Sequence, residues 1–136
     1  MSENAEKAAA IYEKELISFF DLARGNWPRL DLALLGLGED GHTASLFPGD
    51  AVLREANQLV ATVFRKDVSP PQRITVTLPV INHASVIFFL VSGREKAQIL
   101  KTVLEGNERQ LPAQQVNPLN GEVLWFTDQP AASALK

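Results

Sequence analysis

Short apolar runs alternate along this chain with longer segments in which apolar residues recur at helical spacing. The first helical segment covers residues 5–23, and its apolar face consists of Ala5, Ala8, Tyr12, Leu16, Phe19 and Ala23. A second one follows the turn at Ser92-Gly93 and places Ala97, Leu100 and Leu104 on its inner face. Glycine and asparagine residues follow both segments, which is typical of the end of a helix.

The apolar runs predict strands. Leu30–Leu35 contains the unbroken run Leu32–Leu35, which reads as a strand buried on both faces, and Val86–Val91 is the clearest buried strand. Leu59–Phe64 and Glu122–Thr127 are two further predicted strands. Because strands alternate with helices, the predicted fold class is α/β, with a mainly parallel sheet flanked by helices in a Rossmann-like, three-layer arrangement.

Three local signals refine this arrangement. Residues 73–78 alternate as in a strand, with Ile74, Val76 and Leu78 on one side and Arg73, Thr75 and Thr77 on the other. Asp50 is expected to cap a short helix over Ala51–Asn57. Asp128 is expected to cap a terminal helix that has Pro130 in its first turn.

Composition limits the classes of function. The chain has 136 residues, enough for one domain, and is 46% hydrophobic and 21% charged, as in an ordinary soluble globular protein. A net charge of −3 gives no reason to expect nucleic acid or a membrane surface as a partner. The absence of cysteine excludes disulfides and thiol chemistry. Residues 1–7 lack the apolar centre of a secretory signal and no run could span a bilayer, so we expect a cytoplasmic protein.

A glycine-rich segment follows the first predicted strand. Gly36, Gly38 and Gly41 fall within six positions and allow the backbone to turn sharply and to approach a ligand. Thr43 or Ser45 could then cap a short helix. A strand, a glycine turn and a helix start form the place where open α/β sheets bind ligands, and such a turn offers backbone N–H groups to an anion.

His42 lies within this segment and is the first catalytic candidate, because an imidazole can accept and return a proton near neutral pH. Asp40 could hold one ring nitrogen of His42 and so fix the tautomer, or it could only bond the backbone of its own turn. His83 has no comparable surroundings and is expected to be structural or exposed. Two distant histidines without cysteine predict no metal site.

The segment Gly36–Pro48 reads Gly-Leu-Gly-Glu-Asp-Gly-His-Thr-Ala-Ser-Leu-Phe-Pro and resembles the signature of the 6-phosphogluconolactonases. Its Gly-x-Asp-Gly-His core is shared with the related glucosamine-6-phosphate deaminases. Those enzymes carry a carboxylate five residues after the histidine, where this chain has Phe47, so the resemblance favours the lactonases. The similarity continues through Arg73–Pro79, Val91–Ala97 and Val123–Asp128.

The resemblance implies hydrolysis of 6-phospho-D-glucono-1,5-lactone to 6-phosphogluconate, in the oxidative pentose phosphate pathway, without a cofactor. His42 would be the general base on water, and backbone N–H groups at Gly38 or Gly41 would stabilise the oxyanion. Arg73 and Lys96 would hold the phosphate of the substrate, through paired hydrogen bonds and a point charge respectively. The other basic residues near these positions, Arg65, Lys66 and Arg94, are expected to be solvated at the surface.

The resemblance covers only the second half of the family pattern. The Ser-Gly-Gly-Ser-Thr-Pro-like phosphate loop and the Asp-Glu-Arg segment of the family have no counterpart in this sequence. We therefore expect an open sheet edge beside uncovered apolar surface, and with it self-association or a marginally stable monomer of low activity. Two alternatives stay open: a sugar-phosphate deaminase or isomerase, and a non-catalytic fragment that binds sugar phosphate weakly or pairs with a partner.

Overall fold

The structure, a computed structural model, describes residues 3–107 and 110–136. Its helices and strands, in chain order, are α1 (Glu3–Phe19), β1 (Leu32–Leu35), β2 (Val60–Phe64), β3 (Gln72–Val76), α2 (Leu78–Asn82), β4 (Val86–Val91), α3 (Ala97–Glu105), α4 (Pro112–Gln115), β5 (Glu122–Thr127) and α5 (Gln129–Ala132). Single 3-10 turns at Ala51–Arg54 and Arg94–Lys96 precede β2 and α3. No helix in the described ranges is long and apolar enough to cross a membrane.

The main sheet has three parallel strands in the order β1-β4-β5. Its register places Leu34 beside Phe88, and Phe88 beside Leu124. Strands β2 and β3 pair with each other as a separate antiparallel hairpin, in which Val60 lies opposite Val76. The mixed α/β class with a mainly parallel sheet is therefore confirmed.

One face of the main sheet, the inner face, lies against the hydrophobic core. Ile87, Phe89 and Val91 of β4 point into it and share one cluster of buried residues with Leu100 of α3, Ala113 of α4 and Ala131 of α5. The rings of Phe89 and Trp125 stack there with centroids 3.9 Å apart. Helix α3 turns differently from the prediction, because Val103 is buried while Leu104 is 42% exposed. The helices α3, α4 and α5 thus cover the inner face.

The opposite face of the sheet is open. Leu32 and Leu34 of β1 are 47% and 60% exposed, so the prediction that this run is buried on both faces is wrong. Strand β1 forms the edge of the sheet and pairs with β4 alone among the described strands. The open edge and the uncovered apolar surface are as expected, and the described residues form two of the three predicted layers.

Helix α1 packs on the β2–β3 hairpin, in a second cluster built on Ala9, Leu59, Val60 and Val80. Glu13 ties this helix to the hairpin, because one of its carboxylate oxygens accepts hydrogen bonds from the backbone N–H groups of Leu59 (2.8 Å) and Val60 (3.0 Å). The helix ends at Phe19, four residues before the predicted end, and Asp21 follows with a positive φ of 48°. That conformation cannot continue a right-handed helix.

Two predicted caps have opposite outcomes. The carboxylate of Asp128 accepts a hydrogen bond from the N–H of Ala131 at 2.8 Å, which confirms the cap of α5. Asp50 caps no α-helix, because only a 3-10 turn follows it and its side chain makes no capping bond. Its carboxylate instead accepts a hydrogen bond from Arg65 at 3.1 Å.

The alternation in residues 73–78 has its polar side inward. Thr75 and Thr77 are buried, whereas Ile74 is 39% exposed. Each buried hydroxyl has partners: Thr77 donates to the carbonyl of Gln58 (2.8 Å), and Thr75 accepts from the N–H of Ser45 (3.2 Å). Threonine can be buried there because its hydrogen-bonding groups are satisfied.

Candidate active site

A cleft of about 380 Å³ opens where β1 and β4 end, at the carboxyl edge of the main sheet. Its lining comes from the loop after β1 and from the turn before α3: Gly36, Leu37, Gly38, His42, Thr43, Ala44 and Lys96. This volume lies in the range of small-molecule sites, and the position is the usual one for ligands of open parallel sheets. The structure therefore brings the predicted base and one predicted cation together.

The loop after β1 is held by its own hydrogen bonds. The N–H of Gly38 donates to the carbonyl of His42 (2.8 Å), and the N–H of Gly41 donates to the carbonyl of Gly38 (3.0 Å). Both predicted oxyanion donors are thus engaged within the loop in this structure, and their role stays a prediction. No helix begins at Thr43 or Ser45, because the hydroxyl of Thr43 donates to the carbonyl of Gly36 (2.8 Å) and a turn follows.

Two of the loop glycines are required by geometry. A Cβ atom on Gly38 would lie 2.0 Å from Nδ1 of His42, so the imidazole can rest against this position only if no side chain is present. Gly41 has a φ of +86°, in the left-handed region that favours glycine, and a Cβ there would come within 3.0 Å of Leu111. Gly38 and Gly41 therefore allow the loop to hold the imidazole of His42 in its observed position.

Asp40 and His42 form a direct pair. Nδ1 of His42 lies 2.5 Å from Oδ1 of Asp40, and the backbone N–H of His42 donates to the same oxygen at 3.0 Å. Partial burial acts to raise the pKa of Asp40, but these hydrogen bonds and the charge of the imidazole outweigh it and hold the pKa below its usual value.

The tautomer of neutral His42 follows from this pair. Because an ionised carboxylate can only accept hydrogen bonds, the imidazole must carry its proton on Nδ1, facing Asp40. The lone pair is then on Nε2, and the side chain is 29% exposed. The arrangement can accept a proton from a bound water and can stabilise the imidazolium that results.

Phe47 fills the position five residues after His42. It is 1% exposed, and its ring centroid lies 4.5 Å from that of the imidazole. The guanidinium carbons of Arg65 and Arg73 lie 5.0 Å and 5.7 Å from the same phenyl ring. The position five residues after His42 is therefore apolar in this structure and supports the imidazole by packing.

Arg73 is outside the cleft. Its guanidinium donates to the carbonyls of Ser69 (3.0 Å) and Pro70 (3.1 Å), in the loop between β2 and β3. One side chain, Phe47, separates it from His42. The structure thus does not bring Arg73 together with the other predicted phosphate ligand, and its role in binding stays a prediction.

Arg65 is not the solvated surface residue that was expected. Its guanidinium pairs with Asp67 (2.5 Å) and Asp50 (3.1 Å), and its side chain is 25% exposed. The hydrogen bond from Arg65 lowers the pKa of Asp67, and the reciprocal bonds raise the pKa of Arg65. Opposite charges two residues apart at the start of a hairpin loop were the sequence signal for this cluster. The ion pairs with Asp50 and Asp67 hold Arg65 against one side of the phenyl ring of Phe47, which supports His42.

Lys96 is the cation that lines the cleft within the part of the chain that the structure describes. It ends the 3-10 turn Arg94–Lys96 and precedes the first residue of α3. The turn itself is tied to β5, because the N–H of Gly93 donates to the carboxylate of Asp128 at 3.1–3.2 Å. Asp128 therefore has a second task beyond the predicted cap, since it holds the segment that presents Lys96.

A larger cleft, of about 440 Å³, lies elsewhere, between the end of α1 and the segment before β2. Glu13 and Trp27 are among its lining residues, and His42 is not. Trp27 stacks on His83, whose Nδ1 lies 2.7 Å from the carbonyl of Pro79. His83 is thus structural, one of the two outcomes expected, whereas His42 lines the smaller cleft.

The parallel sheet, the glycine loop and the paired His42 define the chain as an α/β protein with a ligand-sized cleft at the carboxyl edge of its sheet. The chain belongs to the family of glucosamine-6-phosphate isomerases/6-phosphogluconolactonase, whose family model matches residues 1–125. Among named proteins, it is 44% identical to the 6-phosphogluconolactonase of Rattus norvegicus over 130 residues, which are 96% of this chain and 50% of the rat protein. The chain thus spans about half the length of the curated relatives that it matches.

Solved structures agree with this assignment. The 6-phosphogluconolactonase of Trypanosoma brucei superposes with a TM-score of 0.86 at 29% identity, over 100% of this chain and 56% of that one. A monomeric glucosamine-6-phosphate deaminase superposes with a TM-score of 0.72 at 26% identity, over 98% of this chain and 56% of that one. Both branches of the family therefore share the fold of this chain.

Proposed function

We propose that this chain carries the acid–base part of a 6-phosphogluconolactonase and acts in the hydrolysis of 6-phospho-D-glucono-1,5-lactone to 6-phosphogluconate. The observation that carries the proposal is the Asp40–His42 pair in a cleft that Lys96 also lines. The names of its relatives support the same reaction. We also propose the oxidative pentose phosphate pathway as its context and the cytoplasm as its location.

The chemistry uses one imidazole twice. Nε2 of His42 accepts a proton from water as the water oxygen attacks the lactone carbonyl. The tetrahedral intermediate then collapses, the bond from the carbonyl carbon to the ring oxygen breaks, and the imidazolium returns its proton to that oxygen. Asp40 holds Nδ1 throughout and stabilises the charged ring. General base and acid catalysis of this type contributes about 10²–10⁴-fold.

Lys96 supplies positive charge toward the substrate phosphate, since it lines the same cleft as His42. Arg73 is proposed as a second phosphate ligand at the rim, although its guanidinium is bonded to two loop carbonyls in this structure. The N–H groups of Gly38 and Gly41 donate within the loop in this structure and would have to leave those bonds to stabilise the oxyanion.

Phe47 favours the lactonase over a deaminase or isomerase. Ring opening and amine release from an amino sugar phosphate would use a second acid or base beside the histidine, and the buried phenyl ring occupies that position. Because a glucosamine-6-phosphate deaminase has the same fold, the deaminase alternative is tested directly with glucosamine 6-phosphate. The other alternative, a fragment without catalysis, is tested by the same assay.

The test compares His42→Asn with the matched control His83→Asn in the chain of 136 residues. Lactone hydrolysis is measured with the spontaneous rate subtracted, and glucosamine 6-phosphate is offered separately. We expect His42→Asn to lose roughly 10²-fold or more, while His83→Asn retains the rate of the parent chain, apart from any change in stability. Circular dichroism checks that each variant is folded.

Three outcomes would overturn parts of the proposal. A folded His42→Asn variant with unchanged turnover would remove the general base. Turnover of glucosamine 6-phosphate would favour the deaminase. A folded parent chain with no rate above the spontaneous one would favour the non-catalytic fragment.

A further inference from the structure

One residue of the cleft has a backbone conformation that its side chain disfavours. Ala44, two residues after His42, is exposed, lines the cleft and has a φ of +51°. That angle lies in the left-handed region, which glycine adopts freely and alanine does not. Strained residues of this kind persist only where the surrounding structure holds them, and they concentrate at functional sites. A strained alanine so close to His42 therefore points to a role in the cleft.

The strain arises in a tight two-residue turn. Thr43 and Leu46 pair as an isolated antiparallel bridge, and the N–H of Leu46 donates to the carbonyl of Thr43 at 2.9 Å. Ala44 and Ser45 are the two residues between them. Only the first of the two has a positive φ, which is the pattern of a type II′ turn. Glycine usually occupies that first position, and this chain has an alanine there.

The turn is anchored at both of its ends. The hydroxyl of Thr43 donates to the carbonyl of Gly36 (2.8 Å), and the N–H of Ser45 donates to the hydroxyl of Thr75 (3.2 Å). Thr43 is only 1% exposed, so the turn starts from a buried residue. These contacts hold Ala44 in its strained conformation beside the cleft.

The backbone N–H of Ala44 has no acceptor. It donates to no group among the residues that the structure describes. The N–H groups of Gly38 and Lys96, which line the same cleft, both donate to backbone carbonyls, and that of His42 donates to Asp40. A free donor held rigidly near the general base is the group that a developing oxyanion requires.

We propose that the backbone N–H of Ala44 is the oxyanion donor in lactone hydrolysis, an inference that rests on the proposed function. As the water oxygen bonds to the lactone carbonyl carbon, a proton of the water passes to Nε2 of His42, and the π electrons of the carbonyl move to its oxygen. The hydrogen bond from Ala44 stabilises that negative charge, so it is stronger in the transition state than with the bound lactone. Alanine restricts the turn more than glycine would, and the donor is therefore fixed before the substrate arrives.

The test replaces the backbone amide of Ala44 by an ester, with lactic acid incorporated in place of alanine, so that the N–H is lost and the methyl group stays. An ester also weakens the preceding carbonyl as an acceptor, and here that is the carbonyl of Thr43, which holds the turn. The same replacement at Ala51 is the matched control. Ala51 is exposed, lies outside the cleft and donates to no described group through its N–H, and the carbonyl before it also accepts one turn bond, from Leu53 at 3.2 Å.

We expect the ester at Ala44 to lower kcat about 10²–10³-fold, the usual effect of removing one oxyanion donor, and to leave KM within about threefold. The ester at Ala51 should retain both constants of the parent chain. Circular dichroism and the ¹⁵N signals of His42 check that each ester variant is folded and that the loop is intact. A folded Ala44 ester with the kcat of the Ala51 ester would overturn the proposal, and so would a loss that appears in KM alone.

A second measurement uses the unmodified chain and so does not depend on the folding of an ester variant. The ¹⁵N-labelled chain is titrated with 6-phosphogluconate, in which a carboxylate oxygen takes the place of the oxyanion. We expect the amide proton of Ala44 to move downfield as it gains a charged acceptor, while that of Ala51 stays unchanged. An Ala44 signal that does not move at the highest product concentration would overturn the proposal.

This proposal and the proposed function fail in different ways. A parent chain that does not accelerate lactone hydrolysis would end the proposed function, and the amide signal of Ala44 would then decide by itself whether this N–H binds the anion. An active parent chain whose Ala44 ester keeps the full kcat would end only the role of Ala44.

Discussion

Gly38→Ala tests how the imidazole of His42 is held. The added Cβ would lie 2.0 Å from Nδ1 of His42. The φ angle of Gly38 is not positive, so the backbone itself would not strain an alanine. Ordinary contact distances require the ring to retreat by roughly 1.5 Å. The ring has little room, because it already contacts the buried Phe47. A shift of that size breaks the 2.5 Å bond between Nδ1 and Asp40.

The expected loss of stability is modest. A hydrogen bond to a charged group contributes about 1.5–3 kcal/mol, but Asp40 is 47% exposed and water replaces part of that interaction. We therefore expect the free energy of unfolding to fall by about 1 kcal/mol. The effect on lactone hydrolysis should be larger, about 10²-fold. Without the bond to Asp40, the displaced imidazole no longer has a fixed tautomer, and Nε2 no longer points at the reacting water.

Gly36→Ala is the matched control for the same loop. A Cβ at Gly36 meets no atom within 4 Å, and its φ is not positive, so this change should leave stability equal or slightly higher. Because Gly36 lines the cleft, the comparison uses chemical denaturation and the ¹⁵N signals of the imidazole, which report its tautomer. If Gly38→Ala keeps the parent's imidazole signals and stability, the close contact does not control His42.

Two further predictions concern charge. Lys96→Ala should raise KM for the phosphorylated lactone about tenfold more than for unphosphorylated gluconolactone, and Arg73→Ala should do the same; equal losses on both substrates would make either residue structural. Glu55 accepts hydrogen bonds from the N–H groups of Ala56, Asn57 and Gln58, which lower its pKa, with the largest contribution from Asn57. Its contribution to stability is therefore present above the unfolded pKa and disappears as pH falls through the folded value. In denaturant titrations, Glu55→Ala should lower stability by up to about 1 kcal/mol at pH 7, after allowance for the solvent screening of this carboxylate, and the difference should shrink as pH falls through the folded pKa of Glu55. A difference that is unchanged on acidification would refute the assignment.

Local patterns in the sequence were sufficient for several elements. The predicted bounds of β4 and β5 are those observed, and the cap at Asp128 is present. These features depend on residues that are close in sequence. A strand follows from its own apolar run, and the cap follows from a carboxylate, Asp128, three residues before the N–H group that it accepts from. The predicted helix ran four residues beyond the observed end of α1, because apolar periodicity does not reveal that Asp21 adopts a left-handed conformation.

Other features depended on contacts that are distant in sequence. The inward side of residues 73–78 carries threonines, because Ser45 and Gln58 satisfy their hydroxyl groups. A pattern of apolar and polar positions cannot show such partners in advance. The exposure of Leu32 and Leu34 could not be predicted from β1 itself either. Whether these side chains are buried depends on what packs on the outer face, and the helices in the described residues cover the inner face.

The candidate site was predicted in part. His42, Asp40 and Lys96 come together as expected from the glycine loop and the helix start. Arg73 does not join them, because two loop carbonyls in its own hairpin bind its guanidinium. The predicted oxyanion donors stay a prediction, and in this structure the loop uses the N–H groups of Gly38 and Gly41 to hold its own shape.

The position of the loop links the site to the open sheet. His42 is the seventh residue after β1, and β1 is the edge strand, held by β4 alone among the described strands. Edge strands with few partners belong to the less stable parts of a fold. The loop has its own anchors in Gly38, Gly41 and Phe47, which keep the imidazole beside Asp40. Its placement relative to Lys96, however, depends on the pairing of β1 with β4, because Lys96 follows β4. Any contact that stabilises β1 would therefore also steady the distance between His42 and Lys96 without touching either side chain.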